Sequence, residues 1–201
     1  DPINKALTIL ACNEVDGVIA GASKSTAEII RCSLRVIGIK ANYKWISSAF
    51  IMTSPDKEKI LTYSDCAVIP EPTSEQLAYI AKAASDMHSL ITSEKPKVAF
   101  LSFSTNGSAN HYRVDRVKEA VQIFSQKFPN ITHEGEIQFD AAVSENISKN
   151  KNRNSNLNGD ANVFIFPNLD AGNISYKITR QLAGYDAWGP LLQGLNKPVH
   201  D

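Results

Sequence analysis

The run Ala99–Ala109 sets an apolar strand pattern, Ala99-Phe100-Leu101, directly before a turn composed of Ser102, Ser104, Thr105, Asn106, Gly107 and Ser108. A hydroxyl- and glycine-rich turn that opens a helix presents backbone N–H groups and side-chain donors at the positive end of the helix dipole, which suits it to hold an anion. A plain helix cap needs one Ser or Thr, so Ser104, Thr105, Gly107 and Ser108 in near succession exceed what capping requires. A second run repeats the form. Val163-Phe164-Ile165-Phe166 leads into Pro167-Asn168-Leu169-Asp170-Ala171-Gly172-Asn173, and a helical pattern carrying Lys177 and Arg180 follows. Two polar turns at strand ends predict one cavity that grips a phosphate-bearing substrate.

Arg31 follows soon after Ser25 and Thr26, a pair able to cap a helix, and a guanidinium is shaped for bidentate phosphate contact. Spacing alone favours a surface salt bridge over that role. Nucleotide fingerprints are absent: no Gly-X-Gly-X-X-Gly follows a strand pattern, and Gly21–Thr26 lacks the first glycine that a P-loop requires. His88, His111, His133 and His200 are scattered without metal-ligand spacing and the cysteines do not join them. No metal site is predicted, and these histidines read as surface or supporting residues. Cys66 follows Asp65, whose charge raises a thiol pKa and argues against a nucleophilic cysteine.

The elements that must position these residues are legible in outline. With 201 residues and 43% hydrophobic content the chain can bury a full core. Its 21 Lys and Arg balance 21 Asp and Glu without a long basic stripe, which argues against nucleic acid or an anionic membrane surface as partner. Cys12, Cys32 and Cys66 fall in helix, helix and strand patterns with no pairing, so a reducing cytoplasm is the expected setting. No apolar run approaches roughly 18 residues and no signal peptide is visible, so the Asn-X-Ser/Thr matches at Asn106, Asn130, Asn146 and Asn173 carry no weight as glycosylation sites. The chain opens in mid-pattern and stops at Asp201, and so reads as a piece of something longer.

Ile3, Leu7 and Leu10 have helical spacing, and Gly17–Gly21 reads as a short buried strand. Ser25-Thr26 caps a helix whose face is Ile29, Ile30, Leu34 and Ile37, with Gly38 as its stop. Tyr43–Thr53 and Ile60–Ile69 predict two pairing strands around a turn at Pro55-Asp56. A helix begins near Pro70–Glu75, with Leu77, Ile80, Ala81, Ala84 and Ile91 as its stripe. The strand ending at Ser104 leads to a helix carrying Val114, Val117, Val121, Phe124 and Phe128. Ile137–Val143 is ambiguous between strand and helix start, and Asn146–Asn158 reads as a solvated loop. A strand at 163–166, a helix at 173–183 and a turn-rich stretch from Gly184 to Asp201 complete the chain. Alternating strands and amphipathic helices predict an α/β fold, a mostly parallel sheet with helices on both faces and ligands beyond the carboxyl ends of its strands.

The sequence closely resembles the phosphate acetyltransferase (phosphotransacetylase) family. The resemblance rests on Asp16–Ala22, Ser25-Thr26 with Arg31, Ser64–Val68, Leu101–Ala109, Gly135–Ala142, Ala161–Asn173 and Gln193–Pro198, which cover nearly the whole chain in order and spacing. It implies transfer of an acetyl group between coenzyme A and inorganic phosphate, with coenzyme A as a substrate and neither cofactor nor metal. In that chemistry the coenzyme's thiol is deprotonated and attacks the carbonyl of acetyl phosphate while basic and hydroxyl groups hold the phosphate.

The family fold has two α/β domains, the second inserted into the first, with the active site between them. Carried onto this chain, residues 1–41 and 193–201 are parts of the first domain and 42–192 the inserted one. Thr26, Arg31 and Arg180 then fall to coenzyme A binding, and Ser104, Thr105, Gly107, Ser108, Asn173, Lys177 and Asn196 to phosphate or acetyl phosphate. Gln181 stands where some members place a coenzyme-binding arginine, and His200 replaces an asparagine common in the family. The family's Leu-Ser-Arg-Gly segment and its aspartate are expected beyond Asp201, so the 201-residue piece alone is expected to be inactive. A cytoplasmic homodimer is a further implication. Phosphate butyryltransferase and the noncatalytic, metabolite-sensing domain of a malic-enzyme fusion are the rival readings, with a ligand-free structural α/β module as the plainest one.

Overall fold

A computed structural model describes residues 1–41 and 43–201. The first residue of the expected inserted domain, Asn42, lies outside them. Asp1 caps α1 (Pro2–Ala11), where Pro2 supplies a fixed φ and Ile3, Leu7 and Leu10 form the buried face. β1 (Val18–Ile19) follows. The Ser25 side chain accepts from the Glu28 N–H to start α2 (Thr26–Val36). β2 (Ser47–Thr53) and β3 (Ile60–Ser64) pair antiparallel. α3 (Ser74–Thr92) opens on a reciprocal capping box between Thr73 and Gln76. β4 (Lys97–Leu101), α4 (Tyr112–Lys127), β5 (Thr132–Ile137), α5 (Phe139–Val143) and α6 (Glu145–Lys151) come next. The chain closes with β6 (Val163–Ile165), α7 (Leu169–Ala183), β7 (Asp186–Gln193) and β8 (Val199–His200).

The strands form an eight-stranded sheet in the order β1-β8-β7-β2-β3-β6-β4-β5. β3, β6, β4 and β5 are parallel neighbours, as are β1 and β8, while β2 and β7 sit between these blocks as an antiparallel pair. Alternate residues of β4 and β6 serve opposite faces, as the period of two requires. Val98, Phe100, Val163 and Ile165 pack with Leu77, Ala81 and Phe124 from α3 and α4. Ala99, Leu101 and Phe164 pack with Ala141 and Ala142 of α5 and with Tyr176 of α7. A third apolar cluster joins Leu7 and Leu10 of α1, Ile29 of α2 and Ile37 just after it to Leu192, Leu195 and Val199, with Val68 packed against it. No described helix is long and apolar enough to cross a membrane.

Several local expectations are corrected. β1 is an exposed edge rather than a buried strand, with Ile19 86% exposed. Leu34 and Ile91 leave their predicted stripes for solvent, and Ser33 takes an inward position on α2. Asn146–Asn158 is not simply a loop. Its first half is α6, and the rest is ordered around Glu134, whose carboxylate accepts from the Asn152 amide, the Ser155 hydroxyl and the Leu157 N–H. Composition hid this because the organising charge lies outside the segment. Gly184–Asp201 contains the eight-residue strand β7, held by register against β2. Of the surface and supporting readings, His88 takes the supporting one: it is a core residue with no exposed surface, its Nδ1 2.9 Å from Thr62 Oγ1.

Candidate active site

The carboxyl ends of β3, β6, β4 and β5 lie along one edge of the sheet, so both predicted turns emerge side by side from the paired strands β4 and β6. Arg116, on α4, reaches the second turn and the loop after β3: its guanidinium donates to the Pro167 carbonyl at 3.0 Å and pairs with Glu71.

The turn after β4 holds an anion, and that anion is internal. Glu136, at the end of β5, is buried, and its Oε1 accepts from the Ser104 hydroxyl at 2.9 Å and the Gly107 N–H at 2.7 Å. Ser104 Oγ in turn accepts from the Ala109 N–H at 3.1 Å, and the Thr105 N–H donates to Ser108 Oγ at 3.0 Å. Thr105 Oγ1 accepts from the Gln138 N–H at 3.0 Å. Lys118 brings its ammonium within 3.9 Å of Glu136. Ser104 and Thr105 are buried, whereas Gly107 and Ser108 are exposed. The turn also does not open a helix: Asn110 and His111 intervene, and the His111 side chain caps α4. Glu136 and Lys118 are the residues that sequence reasoning missed. Their signal was a carboxylate, Glu136, one residue before the end of a strand that runs beside the donor-rich turn.

The second turn is shorter than predicted. Asn168 caps α7 by accepting from the Ala171 N–H at 2.9 Å, so residues 169–173 are already helical. The sequence assigns both turns to one external oxyanion; in the structure the Ser104 hydroxyl and the Gly107 N–H of the first donate to Glu136, and the second starts α7 at Asn168. A cavity of about 630 Å³ opens at the other end of the strands, between α5 and the last turns of α7, lined by Leu61, Tyr63, Phe139, Val143, Thr179 and Ala183.

α7 is seated by the loop after β3. A Cβ on Gly172 would come within 2.3 Å of the Asp65 carbonyl oxygen, so only glycine permits this approach, and the Asn173 amide donates to the Cys66 carbonyl at 3.0 Å. The Asp65 carboxylate organises that loop by accepting from the N–H groups of Ser48, Ala67, Val68 and Ile69 and from the Ser48 hydroxyl. Burial raises the Asp65 pKa against the pull of these bonds. Burial first, and Asp65 second, push the Cys66 thiol well above its ordinary value, which leaves it unreactive.

At about 100° per residue, Asn173, Lys177 and Arg180 fall within roughly 60° on one flank of α7. That flank lies between the seated side, Gly172 and Tyr176, and an exposed apolar stripe of Ile174, Ile178 and Leu182. Lys177 and Arg180 are exposed, with the Lys177 ammonium 5.8 Å from the Tyr176 ring centroid and Tyr176 stacked on Phe50. Arg31 is exposed on α2. The Thr26 hydroxyl donates to the Asp201 carboxylate, and the Asn196 amide donates to the Ile37 carbonyl at 3.0 Å. Thr26 and Asn196 therefore brace α2 and its exit through protein contacts. Among the described residues no group of three or more His, Cys, Asp or Glu comes together to hold a metal.

A model of the family described as phosphate acetyl/butaryl transferase matches residues 1–201. A phosphate acetyltransferase of Acetivibrio thermocellus is 40% identical over all of this chain and 62% of its own length. One from Bacillus subtilis is 44% identical over 92% of this chain and 57% of its own. The crystal structure of a phosphotransacetylase from Streptococcus pyogenes superposes with a TM-score of 0.93 at 39% identity, covering 99% of this chain and 60% of that one. The chain thus spans about six tenths of the length of the relatives it matches. With matching motifs, fold and full-chain similarity, it belongs to the phosphate acetyl/butaryl transferase family.

Proposed function

We propose that this chain is the larger part of an acyltransferase that moves an acetyl group between coenzyme A and inorganic phosphate. The observation that carries the reading is the flank of α7, where Asn173, Lys177 and Arg180 stand in one row at the carboxyl edge and side of the sheet. The family membership of the whole chain gives that row its chemistry. In the direction that forms acetyl-CoA, the thiol loses its proton and the sulfur attacks the acetyl carbonyl. The carbon–oxygen bond to phosphate then breaks and phosphate leaves. Lys177 meets the charge gathering on the phosphate oxygens, and Asn173 supplies a neutral donor beside it. Arg31 and Arg180 bind phosphates of the coenzyme, where a guanidinium contacts two oxygens at once. Ser104, Thr105, Gly107 and Ser108 act as a rigid wall rather than as phosphate ligands: Glu136 takes the Ser104 hydroxyl and the Gly107 N–H, the Thr105 N–H donates to Ser108 Oγ, and the Thr105 hydroxyl bonds Gln138. Thr26 and Asn196 position α2 rather than touch substrate. No cofactor or metal enters this scheme.

Residues 1–41 and 193–201 are assigned to the first domain and 42–192 to the inserted one, with the apolar cluster of α1 and α2 joining the two through Ile46, Val68 and Leu192. Two copies pair through the exposed apolar stripe of α7 and the neighbouring Phe139 and Val143 of α5, which flank the 630 Å³ cavity. Three free cysteines suit a cytoplasmic setting.

The test uses the full-length polypeptide with acetyl phosphate and coenzyme A, following thioester formation by absorbance, and with butyryl phosphate in parallel. Turnover that is faster with the acetyl substrate supports the reading. Preference for butyryl moves the activity to the longer acyl chain, and ligand binding without turnover replaces it with a metabolite-sensing role.

A further inference from the structure

Phe103 is an aromatic residue placed where it cannot hide. The Ser102 N–H before it donates to the Ile137 carbonyl at 2.9 Å, and Ser104 after it is fully buried against Glu136, so the ring is held at the end of β4 with 58% of the residue exposed. His111 meets it edge to face at 5.8 Å between centroids. Tyr112, 65% exposed, lies 4.4 Å from His111 at an interplanar angle of 35°. The Arg113 guanidinium stands 5.8 Å from the Tyr112 centroid, and its Nε donates to the Tyr112 hydroxyl at 3.2 Å. Lys118 reaches the other end of the same loop beside Glu136.

Flat rings kept in solvent beside cations match a flat heteroaromatic base joined to phosphates. Of the proposed substrates, only coenzyme A carries such a group. We propose that Phe103, backed by His111 and Tyr112, is the stacking surface for the adenine ring of coenzyme A, with Arg113 meeting the phosphates attached to its ribose. The proposal rests on the acyl-transfer reading and adds to it a base-stacking subsite on the loop after β4.

The experiment compares parent, Phe103→Ala and Phe103→Trp in the full-length protein. Adenosine 3′,5′-bisphosphate serves as competitive inhibitor, and pantetheine, which lacks the nucleotide, as the alternative thiol. Phe103→Ala is expected to weaken inhibition by the bisphosphate about tenfold and to lower the ratio of kcat/KM for coenzyme A over pantetheine by a similar factor. Phe103→Trp restores both. Equal loss with the two thiols, or unchanged inhibition, overturns the proposal. So does a lower unfolding midpoint of Phe103→Ala with inhibition unchanged, which would assign the ring to a protein contact. If the parent shows no acyl transfer, the functional reading fails on its own. Calorimetric titration of parent and Phe103→Ala with the bisphosphate then still decides whether the ring stacks a base.

Discussion

The carboxylate of Glu136 lies 2.9 Å from the Ser104 hydroxyl and 2.7 Å from the Gly107 N–H, so a side chain from β5 fills the donor-rich turn that follows β4. Hydrogen bonds to a charged acceptor are each worth about 1.5–3 kcal/mol, and buried donors left without one carry a desolvation penalty. Glu136→Ala is therefore expected to lose about 2 kcal/mol of stability, and Glu136→Gln less, because the amide oxygen still accepts. Urea unfolding of the three proteins measures this, and an unchanged midpoint for Glu136→Ala would show that the turn holds itself.

Gly172 gives an opposite sign to the usual rule for helices. Replacing an exposed helical glycine by alanine gains up to about 1 kcal/mol, but here the new methyl meets the Asp65 carbonyl at 2.3 Å and Cys66 Sγ at 3.1 Å. Gly172→Ala is expected to cost about 1–3 kcal/mol through forced displacement, and to lower turnover by moving Asn173, Lys177 and Arg180 together. Thermal unfolding and the acyl-transfer assay read the two effects; a stabilised variant would contradict the seating described for α7.

Burial lowers the pKa of His88 below its ordinary 6.5, against the opposing pull of Glu94 at 3.7 Å, and burial lowers His200 in the same direction. A histidine whose pKa falls on folding binds its proton more readily in the unfolded chain. Its contribution is intact above pH 6.5 and is lost as pH falls through the lowered folded value. Stability should decline on the acid side of neutrality, and His88→Gln should flatten that decline while keeping a partner for Thr62. Unfolding free energies between about pH 8 and pH 5 provide the check; parallel curves for parent and variant would exclude His88 as a source.

Arg31 is exposed, so its loss should leave stability within about 0.5 kcal/mol. If it contacts a coenzyme phosphate, Arg31→Ala raises KM for coenzyme A at least about tenfold, as expected for one charge-assisted contact, and leaves KM for phosphate unmoved. Steady-state kinetics with each substrate varied in turn separates these outcomes.

Leu182 is 84% exposed and continues the stripe of Ile174 and Ile178. Charges placed there should be harmless to a free helix face and disruptive to a packed one. Ile178→Glu combined with Leu182→Glu is expected to convert a dimer to a folded monomer in sedimentation velocity. A parent that sediments as a monomer would remove the pairing from the functional proposal.

Local chemistry was legible wherever neighbouring residues decide it. Ile3, Leu7 and Leu10 specify one helical face, Pro70–Glu75 marks a helix start, and the continuous apolar run Val98–Leu101 specifies a strand covered on both sides. The segment Asn146–Asn158 was misread because the charge that orders its second half, Glu134, belongs to β5. The exposed edge at Ile19 was misread because an apolar dipeptide looks the same at the rim of a sheet as at its centre.

The sequence by itself determined the alternating α/β plan, the motifs of the family and the presence of donors in the turn at Ser104, since these depend on residue type and short-range backbone geometry. Only the tertiary structure decided what those donors hold. Gly107 meets a carboxylate 29 residues away, and Thr26 one that is 175 residues away. The choice of acceptor follows from which strands lie side by side, and strand order is set by packing across the whole sheet rather than by any stretch of chain.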